Sequence, residues 1–306
     1  MMFETTISTI PGDVSPQPVL EEGVVSVLGY RMAYVTGGSG EPVVFLHALG
    51  HASSAWDGVL PYLARHFRVF ALDMLGCGRS DKPRIDYHLW ALATYTRHFL
   101  DAVGVERAHL VGHSLGGGIA MQMMLQYPER VRKLALLSTG GLGREVRPLL
   151  RIATLPGVSL ALASLTQPFW LRLLERLRFA SLTQLLAREN MRVWSRLAHA
   201  DNRWVFMRML RSVCNITGQT VSALDRLPLL KQPVLLVWGE RDRTLPVSHA
   251  QRAATLLPNC QLEILPNCAH YPAIEQPHMV ALLLERFLLA EDDLAAVAPG
   301  ELECAD

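Results

Sequence analysis

The sequence predicts an α/β fold in which a mostly parallel central sheet carries helices on both faces, with an inserted helical cap. Three observations support this fold class. Strand-like and helix-like segments alternate up to Leu137. From Gly140 to about Leu227 the pattern changes to helix-like stretches with no strand between them. Strands and helices then resume until Leu289.

These changes of pattern divide the chain into five segments. They are a flexible N-terminal segment (1–20), a first core part (21–139), the helical cap (140–227), a second core part (228–290) and a flexible acidic tail (291–306). A chain of 306 residues with 50% hydrophobic content can bury a large core, and an α/β domain of this length need not be split. The cap is therefore expected to interrupt one sheet.

A serine between two glycines, Gly112-His113-Ser114-Leu115-Gly116, marks the centre of the first core part. A strand-like run, 109–111, precedes this stretch, and an apolar helix-like run, 119–125, follows it. A serine presented for attack needs a very tight turn, which glycine permits because it has no side chain to collide with neighbouring backbone. The pattern predicts a nucleophile elbow with Ser114 at its tip.

Asp242 is the predicted acidic partner of Ser114. It follows the strand-like run 233–238, at the carboxyl end where open α/β sheets place their ligands. Glu240 in the same loop is a weaker alternative, and the loop after the strand at 134–137 offers no carboxylate. The alternative interpretation gives Asp242 no catalytic role, as a loop aspartate whose side chain only hydrogen-bonds the backbone of its own turn.

His270 is the predicted base. It follows the strand-like run 261–265 and comes after Asp242, in the chain order serine, acid, histidine that this arrangement requires. The chain has 11 histidines, so residue type alone decides nothing. Most of the others fall on predicted helices or their edges, and His113 is expected to point away from the serine.

Together with the runs 43–50 and 71–83, the serine turn and the two loops resemble the α/β-hydrolase superfamily, in its esterase, lipase and C–C hydrolase group with a helical cap. The resemblance covers roughly residues 22–290. It implies that Ser114 is the nucleophile, His270 the base and Asp242 the orienting acid. It also implies an oxyanion hole formed by the backbone N–H groups of Leu49 and Leu115.

The chain departs from the family pattern at two loops. Ala48 follows His47 where glycine is usual, and Ala269 precedes His270 where glycine is common. Each change adds only a methyl group, so we expect both loops to keep their function.

The resemblance implies a serine hydrolase that cleaves a carboxylic ester through an acyl-enzyme. C–C bond hydrolases of ring-cleavage products share the serine triad and are the alternative enzyme, although a tryptophan usually follows their catalytic histidine and Tyr271 stands here. A non-catalytic member of the fold that binds a small molecule is a second alternative.

The cap concentrates positive charge. Residues 141–227 hold 13 arginines, no lysine and 5 acidic residues in a chain whose net charge is +1. The arginines could line the outer faces of amphipathic helices such as 170–178, attract an anionic substrate, or make a weak surface contact with anionic lipid. The apolar run 155–165 favours an apolar acyl or aromatic ester as the small-molecule substrate.

Other motifs exclude several classes of protein. The sequence has no H-E-x-x-H spacing, no phosphate-binding glycine loop and no C-x-x-C pair among its 5 cysteines, so we expect no metal, no cofactor and no disulfide framework. No nucleic-acid partner is expected. The absence of a long apolar segment and of a signal-peptide pattern predicts a cytoplasmic protein without stable membrane insertion. The oligomeric state is left open.

Overall fold

The structure is a computed structural model that describes residues 18–165 and 184–290. Most of the predicted flexible start, the whole acidic tail and the predicted amphipathic helix at 170–178 lie outside the described residues.

An eight-stranded sheet forms the centre of the fold, with the strand order β1-β2-β4-β3-β5-β6-β9-β10. The first two strand pairs, β1 with β2 and β2 with β4, are antiparallel, and the other five pairs are parallel. The predicted mostly parallel sheet is confirmed. Its strands are β1 (Leu20–Val27), β2 (Tyr30–Gly37), β3 (Glu41–Leu46), β4 (Phe67–Leu72), β5 (Ala108–His113), β6 (Val131–Leu137), β9 (Val234–Gly239) and β10 (Cys260–Leu265).

The start of the sheet differs from the predicted alternation of strands and helices. Strands β1, β2 and β3 follow one another without a helix. Leu28 (φ 50°) and Gly29 (φ 86°) form a tight turn with positive φ, which joins antiparallel neighbours directly. A helical crossover is required only where the next strand runs parallel, and that begins with the β3–β4 pair.

Helices cover both faces of the sheet because alternate residues of each buried strand point to opposite sides. In β3, Val43 and Phe45 join one core, whereas Val44 and Leu46 join the other. The first core includes α1 (Leu60–Leu63) and α10 (Pro277–Leu289), with the short α9 (Pro272–Glu275) beside them. The second includes α2 (Leu89–Ala102), α3 (Leu115–Gln126) and α8 (Ser248–Ala254).

The cap segment (residues 140–227) lies in sequence between β6 and β9. Its described helices are α4 (Pro148–Ala153), α5 (Val158–Leu165), α6 (Gln184–Leu197) and α7 (Ala200–Val213). The prediction that it contains no strand is wrong, because β7 (Cys214–Asn215) and β8 (Gly218–Gln219) form a small hairpin.

Turn chemistry explains this hairpin. The Asn215 Oδ1 accepts a hydrogen bond from the Thr217 backbone N at 2.8 Å, and Gly218 adopts a φ of 129° that disfavours residues with side chains. The hairpin also ties the two ends of the cap together. Gln219 donates from Nε2 to the Gly143 carbonyl at 2.7 Å and accepts from the Gly141 N at 2.8 Å.

Leu236→Ala should lower the free energy of unfolding by about 2–5 kcal/mol, because this fully buried side chain of β9 would leave a cavity between sheet and helices. Leu282→Ala is the matched control, since Leu282 on α10 is 53% exposed and should cost less than about 0.5 kcal/mol. Urea unfolding of both variants measures the difference. Equal losses would contradict the assignment of the core.

Candidate functional site

Ser114 lies in a strained turn between β5 and α3. Its φ of 53° and ψ of −112° are rare for a residue with a side chain. The turn requires glycine on both sides. A Cβ at Gly116 would lie 2.2 Å from the Leu46 carbonyl oxygen, and one at Gly112 would lie 2.6 Å from the Gly116 carbonyl oxygen. The strand–turn–helix geometry predicted for this stretch is therefore present.

Backbone hydrogen bonds hold Ser114 in this conformation. Its N–H donates to the Leu137 carbonyl at 3.0 Å, which fixes it to the end of β6. Its carbonyl accepts from the N–H groups of Gly117, Gly118 and Gly140 at 3.0–3.2 Å. These hydrogen bonds hold the strained turn in place, and they fix the position of the half-buried Ser114 side chain.

Ser114, His270 and Asp242 are in hydrogen-bond contact. The His270 Nε2 lies 3.2 Å from the Ser114 Oγ, and its Nδ1 lies 2.8 Å from the Asp242 Oδ2. Because a carboxylate can only accept, the Nδ1 carries the proton, and Nε2 is left to accept the serine O–H. The structure brings together all three residues that the sequence singled out.

The Asp242 carboxylate is fully buried and positioned by its own loop. Its Oδ1 accepts from the backbone N–H groups of Thr244 at 2.7 Å and Leu245 at 2.9 Å, which leaves Oδ2 for His270. Glu240, the weaker alternative, is exposed and accepts from the Asn267 N at 3.3 Å. Among the two carboxylates of this loop, Asp242 is therefore the one bonded to the histidine.

His113 has a role that sequence analysis missed. Its Nε2 donates to the His270 backbone carbonyl at 2.7 Å, and the two rings lie 5.2 Å apart. Burial, together with the nearby His270, keeps the pKa of His113 well below its ordinary value, so the ring is neutral. It therefore fixes the loop that carries His270. Its position directly before Ser114 indicated that His113 lies close to the site. The direction of its side chain, however, depends on a contact with His270, which is 157 residues away in the sequence.

The loop after β3 carries Leu49 and is anchored to the end of β4. The His47 Nδ1 donates to the Ala48 carbonyl at 2.8 Å, and its Nε2 accepts from the Met74 N at 3.2 Å. Asp73 accepts from the Ser53 N at 2.7 Å, farther along the same loop. Burial lowers the pKa of His47 to about 4, so it acts as a neutral link.

The two predicted oxyanion residues share a cavity with Ser114. Leu49 and Leu115 line the same cavity as Ser114 and His270, and the buried Ala48 that replaces the usual glycine lines it too. The Ala269 N–H donates to the Glu275 Oε2 at 2.9 Å. Both departures from the family pattern are accommodated in the described loops, while the role of the two leucine N–H groups stays a prediction.

The cavity over Ser114 has a volume of about 480 Å³ and a mostly apolar lining. The sheet side supplies its floor, with Ser114, His270 and Tyr271. Helices α4 to α7 of the cap segment supply walls that include Leu150, Val158, Trp194, Phe206, Leu210 and Val213. The volume suits a small ligand or an acyl chain.

A buried charged contact joins the cap segment to the loop after β3. Glu189 on α6 places its Oε2 3.7 Å from the His51 Nδ1, and Arg192 binds the other carboxylate oxygen. Burial lowers the pKa of His51. Burial opposes ionisation of Glu189 as well, but His51 and Arg192 outweigh it and hold the pKa of Glu189 below its ordinary value. The His51 ring also lies 5.1 Å from the Tyr271 ring, and both residues line the cavity.

Comparison with known proteins agrees with the fold. The sequence profile of the alpha/beta hydrolase fold matches residues 41–277. An uncharacterised protein of Mycobacterium tuberculosis is 39% identical over 93% of this chain and 86% of its own length. The chain belongs to the α/β hydrolase fold family, and the resemblance found in the sequence is confirmed.

Two further relatives differ in their chemistry. A 2-hydroxy-6-oxo-6-phenylhexa-2,4-dienoate hydrolase of Burkholderia cepacia is 28% identical over 79% of this chain and 85% of its own length. The crystal structure of a bacterial membrane phospholipase A is 30% identical, covers 88% of this chain and 86% of that one, and superposes with a TM-score of 0.74. Family membership therefore leaves the bond that is cleaved undetermined.

The described residues, 18–165 and 184–290, lack two other kinds of site. They contain no group of three or more His, Cys, Asp or Glu residues that could hold a metal ion. None of their helices is long and apolar enough to cross a membrane. The cysteines in these ranges, Cys77, Cys214, Cys260 and Cys268, are free thiols.

The free energy of unfolding should fall as the pH decreases from about 6.5 to about 4. The buried His47 has its folded pKa depressed to about 4, so the unfolded chain binds more protons throughout this window. His113 adds to the effect. His47→Gln should reduce the slope of stability against pH by up to about 1.4 kcal/mol per pH unit, measured by urea unfolding.

His88→Gln is the matched control, because His88 is exposed and changes its surroundings little on unfolding. Burial raises the pKa of Asp73, but the hydrogen bonds that its carboxylate accepts outweigh burial and lower that pKa overall. The contribution of Asp73 to the free energy of unfolding is therefore lost only at a lower pH than that of the histidines. A slope that stays unchanged in His47→Gln would contradict the neutral, buried state of His47.

Proposed function

We propose that the protein is a serine hydrolase that cleaves a carboxylic ester with an apolar acyl or aromatic group. The single observation that supports this proposal most directly is the hydrogen-bonded triad of Ser114, His270 and Asp242 at the floor of an apolar cavity. Such a triad activates a serine hydroxyl, which is otherwise a weak nucleophile. The phospholipase A relative supports an ester as the bond that is cleaved.

In the proposed mechanism, the Ser114 Oγ attacks the ester carbonyl while the His270 Nε2 takes its proton. Asp242 keeps the Nδ1 proton directed toward itself and stabilises the imidazolium that forms. The carbonyl oxygen becomes an oxyanion, which the N–H groups of Leu49 and Leu115 would bind. When the tetrahedral intermediate collapses, the C–O bond to the alcohol breaks and His270 protonates the leaving oxygen.

The second half of the reaction uses the same groups. A water molecule gives a proton to His270 and attacks the acyl carbon, and collapse of the new intermediate returns the proton to Ser114 and releases the acid. The apolar lining from α4 to α7 would bind the acyl or aromatic part by burying its surface, at about 25 cal/mol per Å². The proposed specificity is therefore for apolar acids.

C–C bond hydrolysis is the second candidate, and the 28% identical relative from Burkholderia cepacia favours it. A serine with the same partners could attack a ketone carbonyl, but the leaving carbon would then have to be protonated. Tyr271, directly after His270, is half-buried and lines the cavity, and desolvation raises the pKa of its hydroxyl, so the hydroxyl would stay protonated there. The printed substrate of that relative, 2-hydroxy-6-oxo-6-phenylhexa-2,4-dienoate, is the direct probe.

Hydrolysis of p-nitrophenyl esters from acetate to long chains should be measurable with the native chain and lost, by about 10⁴-fold or more, in Ser114→Ala. A fluorophosphonate should label only the native chain. Labelling without ester turnover would favour the C–C substrate, which is then assayed by loss of its ultraviolet absorbance. Absence of labelling would favour a ligand-binding protein without catalysis, which a thermal shift with bound ligand would reveal.

Asp242→Asn should lower kcat by about 10³- to 10⁴-fold, because the amide no longer holds His270 in the productive tautomer. Glu240→Gln is the control in the same loop, since its carboxylate contacts the Asn267 backbone and not the histidine. Burst and steady-state kinetics on one ester compare the two. If Glu240→Gln were the more damaging change, the acid would be misassigned.

A further inference from the structure

We propose that the outer face of the cap segment around the cavity mouth docks on an anionic lipid surface. We call this surface the mouth face and define it by two sets of residues. Its apolar members are Leu149, Ile152, Leu155, Leu160 and Ile216, and its cationic members are Arg144, Arg147, Arg151 and Arg211. Docking does not depend on the proposed hydrolase activity, although it would bring the cavity to esters held in a membrane.

The apolar lining of the cavity continues onto the protein surface. Leu149 and Ile152 on α4 line the cavity, and yet they are 62% and 51% exposed. Leu160 on the adjacent α5 is 74% exposed, and Leu155 between the two helices is 40% exposed. A cluster of exposed large apolar side chains next to a cavity mouth is typical of an interaction surface.

Arginine contacts join the separate elements of the mouth face. The Arg151 Nε donates to the Ile216 carbonyl at 2.8 Å, which brings the β7–β8 hairpin against α4. Arg211 on α7 donates to the carbonyls of Thr154 and Leu155 at 3.0 Å. The exposed apolar residues of α4 and of the hairpin therefore lie on one continuous surface.

The charges on this face lack carboxylate partners. Within residues 18–165 and 184–290, Arg144, Arg147, Arg151 and Arg211 form no ion pair. By contrast, Arg84 beside the cap pairs with Asp201, and Arg208 on α7 pairs with Asp86. Within the described residues, the mouth face thus holds four arginines without a carboxylate partner.

The glutamate closest in sequence to these arginines is already engaged elsewhere. The Glu145 carboxylate is bound by the His249 Nε2 at 2.8 Å. Two arginines of the mouth face, Arg151 and Arg211, donate to backbone carbonyls, which satisfies hydrogen bonds without cancelling charge.

The combination of exposed apolar side chains with unpaired arginines favours a lipid surface over a dissolved anionic substrate. A dissolved anion would be attracted by the charge alone and would gain nothing from Leu160 or Ile216. At a membrane, arginines contact the anionic headgroups while apolar side chains enter the boundary between headgroups and acyl chains. The apolar mouth would then offer an acyl chain a continuous path toward Ser114.

The test uses the full chain carrying Ser114→Ala, so that no lipid can be consumed. Binding is measured by co-sedimentation with vesicles of phosphatidylcholine alone and of equal parts phosphatidylcholine and phosphatidylglycerol. The protein should bind the second kind more tightly, and added salt should weaken binding. Arg144→Gln should weaken binding about fivefold, and Leu160→Glu, which adds a negative charge at an exposed apolar site, by more than that.

Arg208→Gln is the matched control, because it removes the same charge from the cap at an arginine that is already paired. It should change vesicle binding by less than about twofold. Equal effects of Arg144→Gln and Arg208→Gln would overturn the proposal, since binding would then reflect overall charge. Failure to bind either vesicle would also overturn it.

The melting temperature of Leu160→Glu tests whether Leu160 on the mouth face packs against other residues of the protein. If Leu160→Glu lowers the melting temperature without changing vesicle binding, the leucine is packed inside the protein and the proposal is wrong. Ester hydrolysis by the native chain on dissolved substrates is measured separately. Loss of vesicle binding with intact turnover would reject only the docking surface, and vesicle binding without turnover would reject only the hydrolase.

Discussion

The close contact between Gly116 and the end of β3 is the constraint on which the rest of the site depends. The start of α3 approaches the Leu46 carbonyl so closely that no side chain fits between them. This approach places the strained Ser114 turn beside the loop that carries Leu49. One backbone contact between the start of α3 and the end of β3 therefore brings the Ser114 hydroxyl next to the loop after β3.

The partners of Ser114 come from strands on the far side of β6 and are held by a closed set of buried hydrogen bonds. Each Asp242 oxygen has a partner, and the carbonyl of His270 is bound by His113. Buried polar groups stabilise a single arrangement only when every member is satisfied. Glu189 and His51 are less well satisfied, because their facing atoms are 3.7 Å apart and have no closer partner in the described residues. This one contact between cap and core is thus looser than the hydrogen bonds of the site beneath it.

Much of the fold and the candidate site could be predicted from the sequence because the signals were local. Strand β9 with the Asp242 loop, and the turn around Ser114, are each encoded within about ten residues by apolar runs, glycines and turn chemistry. The β7–β8 hairpin was missed because two-residue strands have no periodicity. The roles of His113 and Glu189 were missed because they arise from packing between segments far apart in sequence, which a local pattern does not encode.

The separation of the site residues along the chain has a consequence for biosynthesis. Ser114 and His270 are 156 residues apart, and the cap segment is translated between them. A growing chain can complete β5 and the serine turn while the strand that carries the histidine loop has not yet been made. Since β10 pairs with β9 at the far edge of the sheet, Ser114 gains its hydrogen-bond partner His270 only after the last strand has docked. Until the histidine loop is in place, Ser114 lacks the hydrogen bond to the His270 Nε2.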